Sequence, residues 1–185
     1  GGGMSLSSSF NPILTHVTIA NNTAGNSGGG MYLGSSNPIL THVFISNNTA
    51  NSGGGISLFN SNLTLTHVTI AHNTADSYGG GMYLTNSSDP TLTNSIIWDN
   101  GSESIFLYSG GNEPIITYSD IEGGWEGEGN VDANPLFNED FSLMANSPCI
   151  DAGTADTDGD GYDDITDYFG CAPDMGAFES PYSTD

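Results

Sequence analysis

The stretch Asp156–Asp167, DTDGDGYDDITD, sets carboxylates at alternate positions and follows them with a glycine. Asp156, Asp158 and Asp160 take the first, third and fifth places of a twelve-residue loop, and Gly161 takes the sixth, where such a loop turns sharply. Tyr162 offers a backbone carbonyl at the seventh, Asp164 falls at the ninth, and Asp167 closes the loop at the twelfth. Hard oxygen donors at this spacing suit a hard divalent cation, so the expected chemistry is calcium binding. Three carboxylates two residues apart also repel one another unless a cation lies between them. The 185-residue chain contains no Lys or Arg that could serve. Ca2+ is the expected cofactor; the alternative is an acidic surface turn.

Other reactive side chains are few. Cys149 and Cys171 bracket that loop without metal-ligand spacing, which predicts one disulfide closing a 23-residue segment. Such a bridge stabilises by roughly 3 kcal/mol and implies an oxidising compartment; two free thiols are the alternative. His16, His42 and His67 recur at equivalent positions and read as a structural file, since Asn94 and Tyr118 replace them further on. Asp99, Asp120 and Glu122 are the candidates for a sugar-cleaving carboxylate pair. They read as surface acids, because no cleft or long insertion is legible beside them. A lyase acting on acidic polysaccharide needs a cationic side chain, and the chain has none. No enzyme activity is expected. Trp125, in a Gly- and Glu-rich stretch, is expected to pack over an end of the fold. Of the Asn-x-Ser/Thr sequons, Asn62 and Asn86 lie in variable turns where a glycan could attach.

These groups must be held by a frame that the composition constrains. Hydrophobic residues make up 36% of the chain, with Gly, Ser, Thr and Asn in place of the rest. That is a strand-and-turn composition. Of the 22 acidic residues only Asp76 and Asp89 precede residue 99, so a nearly neutral body joins a strongly acidic C-terminal part. Nucleic acid is excluded as a partner, because phosphates are bound through Lys and Arg. No run of 18 apolar residues exists, so membrane insertion is not expected.

The body repeats. Copies begin at the glycine triplets Gly1, Gly28, Gly53 and Gly79, 25 to 27 residues apart, and a degenerate fifth copy follows. Each copy has short runs of alternating apolar and polar residues broken by Gly, Asn or Ser, and none shows a helical period. One copy cannot bury its apolar residues alone, whereas stacked copies can. The expectation is an all-β fold: a parallel β-helix (solenoid) of about five coils over residues 1–130, with an irregular acidic C-terminal cap over 131–185. Ile19, Ile45, Ile70, Ile97 and Ile121 should form one buried file. Asn22, Asn48, Asn73 and Asn100 should form an amide ladder beside it.

The repeat text NPILTHVTIANNTA…GGGMYL resembles repeats of secreted bacterial right-handed β-helix proteins, including polymorphic-outer-membrane-protein-like repeats. The segments NPLF at 134–137, ANSPCIDAG at 145–153 and APDMGAFE at 172–179 look like the closing part of the same surface proteins. The twelve-residue loop is similar to those of EF-hands and dockerins, with Asp in place of Glu at its last position. The resemblance implies a right-handed coil and an extracellular or cell-surface location. Together with the uncapped first coil, it leads to the expectation of a non-enzymatic, calcium-stabilised rod that self-associates head to tail into a filament or surface layer. The alternative is an adhesin or carbohydrate-binding stalk, and a glycoside hydrolase comes last.

Overall fold

The structure, a computed structural model, describes residues 1–8 and 10–184. Strands Met4–Ser7, Met31–Gly34, Ile56–Phe59, Met82–Thr85 and Ile105–Leu107 pair in parallel, in chain order, as a first sheet. A second sheet stacks Ile39–Ser46 and Thr64–Ala71 at its centre. In the outer coils these long strands are represented by split pairs such as Thr91–Thr93 with Ile96–Trp98. Thr49–Ser52 and Thr74–Tyr78 form a third, short sheet, extended by single bridges Thr23–Thr49 and Thr74–Gly101. The chain is therefore a three-sided parallel β-helix of five coils, and no helix forms among the described residues.

Register follows the repeat. Ile19, Ile45, Ile70, Ile97 and Ile121 are directly paired through the stack. So are Leu14, Leu40, Leu65, Leu92 and Ile116. Side chains of a strand alternate between faces, so keeping these files in step keeps both of them inward. Leu33, Leu40, Ile45, Leu58, Ile70 and Leu84 are sealed from solvent in one continuous core.

The corners explain the polar columns. His16, His42, His67, Asn94 and Tyr118 share one left-handed corner, with φ from 46° to 53°. Asn21, Asn47, His72 and Asp99 share another, with φ from 51° to 60°. Asn, Asp and His tolerate this region better than other non-glycine residues, which accounts for their recurrence. Gly28, Gly53 and Gly79 serve the same purpose at the start of each coil. The third glycine of a triplet answers to space instead: a Cβ on Gly30 would meet the Gly55 carbonyl oxygen at 2.7 Å.

The C-terminal part departs from the expected end cap. Residues 127–131 add a partial sixth layer, with the Tyr118 amide donating to the Glu128 carbonyl and the Val131 amide to the Ser119 carbonyl. Trp125 packs against the core there. The chain beyond then returns along the outer face of the second sheet as a strap. The Ala177 amide donates to Thr69 Oγ1 at 2.9 Å, and the Gly176 amide to the Asn94 carbonyl at 2.8 Å. Phe141 and Phe178 pack on Phe44, with ring centroids 4.6 and 5.7 Å away. The physical cause is the outward file of Phe44, Thr69 and Ile96, whose apolar members need cover. Ile96, Leu143, Cys149, Ile150 and Met175 form the second core that results.

Candidate functional site

The acidic loop hangs from this strap. Thr154, two residues before it, exchanges two hydrogen bonds of 2.8 Å with the Asn94 side chain. At the far end of the strap the Asp151 carboxylate accepts from the Thr184 amide and hydroxyl, from Ser183 Oγ and from the Cys171 amide. Burial works against its charge, but the Thr184 and Ser183 bonds win and hold it down at about 2.

Within the loop, Asp156 organises the backbone. Its Oδ1 accepts from the Gly159 and Asp160 amides and its Oδ2 from the Gly161 amide at 2.8 Å. Asp164 reaches back to accept from the Thr157 hydroxyl and amide, at 2.6 and 2.9 Å, and the hydroxyl bond holds its carboxyl below the usual range. The result brings one carboxylate oxygen each of Asp156, Asp158 and Asp164 within 4.8 Å of one another. Asp160 and Asp167 stand outside this group. Asp160 is turned to the Tyr162 amide at 2.9 Å, and Asp167 faces a groove along His16 and His42. Tyr162 points its ring into solvent. The donor set, three hard oxygens converging on an acidic loop, fits a divalent cation such as Ca2+.

The expected disulfide is absent: Cys149 and Cys171 are free thiols. Cys149 is sealed against the second sheet and donates to Asp120 Oδ2 at 3.1 Å. Cys171 lies on the exposed rim of the strap, 3.9 Å from Thr184 Oγ1. The packing of the strap points one thiol inward and leaves the other outside. Burial first, and then the Asp120 charge, raise the Cys149 thiol well above the ordinary range.

The carboxylates considered for hydrolysis stand in different surroundings. Asp120 is fully enclosed beneath the strap, and burial raises it to about 6. Asp99 pairs with His72 at 3.3 Å in an exposed contact, and Glu122 accepts from the Asp99 amide at 2.8 Å.

The histidine file is a ring stack. His16–His42 and His42–His67 centroids are each 4.9 Å apart, with planes 9° and 17° apart. The Asn94 amide lies 3.2 Å from His67 Nε2, and burial followed by the His42 charge lowers His67 to about 4. Burial lowers His42 as well, and the stacked rings brace the corner.

The amide ladder runs unbroken. Asn22, Asn48 and Asn73 each donate from Nδ2 to the Oδ1 of the next asparagine at 3.0 Å, ending on Asn100. Two further ladders escaped sequence reading. Ser36, Ser61 and Ser88 pass backbone amides to hydroxyls inside the wall. Asn37, Asn62 and Asp89 do the same outside, each amide donating to the side chain of the preceding coil. Asn62 is thus engaged through Oδ1, while Asn86 sits exposed at φ 57°. The coil-to-coil recurrence of Ser and Asn in the variable turn was the available signal.

Residues 1–134 match the family model described as the right-handed β-helix region. The chain belongs to the right-handed β-helix family. No significant match is found among curated proteins or among solved structures. This β-helix places its acidic loop outside the matched region, on the strap.

Proposed function

We propose that this β-helix is a non-catalytic extracellular structural protein, a rod whose strap is braced by calcium. The observation that carries the reading is the convergence of the Asp156, Asp158 and Asp164 carboxylates in a loop of the strap that lies in no strand. Three hard oxygen donors within 4.8 Å of one another suit a divalent cation. A non-catalytic role is supported by the enclosure of Asp120 and the lack of any cationic side chain.

Calorimetric titration should show calcium uptake by the native chain and none by Asp156→Asn. A native chain that takes up no calcium would overturn the reading.

A further inference from the structure

The chain has two Asp–Gly steps, Asp158–Gly159 and Asp160–Gly161, and both lie in the acidic loop. In each, the aspartate side chain reaches forward past the glycine. Asp158 Oδ1 accepts from the Asp160 amide at 3.1 Å, and Asp160 Oδ1 accepts from the Tyr162 amide at 2.9 Å. Such a turn keeps the side-chain carboxyl close to the glycine nitrogen that lies between its two ends. All four residues are exposed, and a Cβ on either glycine would meet nothing within 4 Å. Neither glycine nitrogen is idle, however. The Gly159 amide donates to Asp156 Oδ1 at 2.7 Å and the Gly161 amide to Asp156 Oδ2 at 2.8 Å. One carboxylate occupies both.

We propose that these two steps are a modification site, at which aspartate converts slowly to isoaspartate, and that Asp156 is the residue that restrains it. The glycine nitrogen attacks the aspartate Cγ. Its hydrogen leaves with one carboxyl OH as water, and a five-membered succinimide closes. Water then reopens the ring. Opening at the main-chain carbonyl leaves the chain running through the side-chain carbons, so the net change is an isomerisation that consumes nothing. Glycine suits the step, because without a Cβ its backbone adopts angles that other residues avoid. An amide committed to a carboxylate resists it, since that charge-assisted bond must break before the nitrogen turns. The product matters to the loop. Its main chain is one methylene longer and its carboxylate stands on the α-carbon, so a converted Asp158 leaves the group it forms with Asp156 and Asp164. Asn100–Gly101, a step open to the same chemistry, has the opposite setting. Asn100 is buried, its Nδ2 donates to the Ile70 and Trp98 carbonyls, and the Gly101 amide donates to the Asn73 carbonyl. That step is locked inside the ladder.

The test compares the native chain with Asp156→Ala and Asp156→Asn, each aged at neutral pH with a chelator present, so that calcium uptake plays no part. Isoaspartate is located by chymotryptic peptide mapping and counted by enzymatic carboxyl methylation. It should collect at Asp158 and Asp160 and stay absent from the coils, Asn100 included. Asp156→Ala should speed both steps about tenfold over the native chain, the factor that the loss of one hydrogen bond supplies. Asp156→Asn, with a single side-chain oxygen, should speed one step and spare the other. A general loosening of the strap would instead speed both alike in either variant. Absence of isoaspartate from Asp156→Ala, or a rate there equal to the native one, would overturn the proposal. Equal acceleration of both steps in Asp156→Asn would overturn it as well.

Discussion

Asn73 is fully enclosed, and its side chain ties three coils together. Its Nδ2 donates to the Ile45 and Ala71 carbonyls and to Asn100 Oδ1, and its Oδ1 accepts from the Asn48 backbone and side chain. Asn73→Ala strands buried donors and acceptors on both neighbours. It should cost about 3 kcal/mol in denaturant unfolding, whereas Asn22→Ala at the partly exposed end of the ladder should cost about 1 kcal/mol. Equal losses at the two sites would count against a cooperative ladder. Asp120 carries a different liability. Its folded value of about 6 lies above the ordinary 3.8, mainly through burial. The folded chain therefore binds this proton more tightly than the unfolded one. The resulting stabilisation is complete below the ordinary value and is lost as pH rises through about 6. Asp120→Asn keeps a neutral acceptor for the Ala133 amide and removes the titration. It should be about 1–2 kcal/mol more stable than the native chain at pH 8, with the advantage fading towards pH 4. An advantage that is the same at both pH values would exclude Asp120 as the titrating group.

At the scale of elements, the coils and the strap hold by different means. Each coil pairs with its neighbours along three faces, so the coils share one core and one register. The strap has no strand of its own beyond the bridge between Phe137 and Leu143 among the described residues. It is kept in place by the second apolar core, by Asn94 and by Asp151. Its acidic loop adds three mutually close carboxylates. A cation shared by Asp156, Asp158 and Asp164 would relieve that repulsion and join the two limbs of the loop. Calcium at one hundred times its dissociation constant should therefore stabilise the chain by about 2.7 kcal/mol. Amide exchange should slow across residues 150–184 before it slows in the coils. Asp156→Asn should abolish both effects. A melt indifferent to calcium would show that the loop is merely an acidic turn.

At the scale of the whole molecule, charge returns along the rod. Twenty acidic residues fall in 99–185, and the strap carries Asp164, Asp167 and Glu179 back to a groove beside His16 of the first coil. Side-by-side packing of whole rods would set these acidic straps against each other. Any association of copies should therefore strengthen as rising salt screens them. Sedimentation velocity across a salt series checks this, and association that weakens with salt would count against it.

Sequence alone determines the coil. A repeat of 25 to 27 residues places the same side chain at the same corner each time, so identical dihedrals recur and like residues must stack. The isoleucine file, the asparagine ladder and the glycine corners are local consequences of that periodicity. Beyond residue 131 the chain has no repeat to set its path, and only the tertiary structure decided it. The acidic part returns along the second sheet because Phe44 and Ile96 present apolar side chains outward and water excludes them. Ile96 beside Ile97 was the trace of this in the sequence, since neighbouring strand residues face opposite ways and both are apolar. That return sends the Cys149 thiol to Asp120 and leaves Cys171 on the rim, and it gathers three of the five aspartates expected as ligands. Spacing along the chain prescribes which residues share a coil. Which surfaces meet when a non-repeating segment packs back is set by buried area, and that appears only in three dimensions.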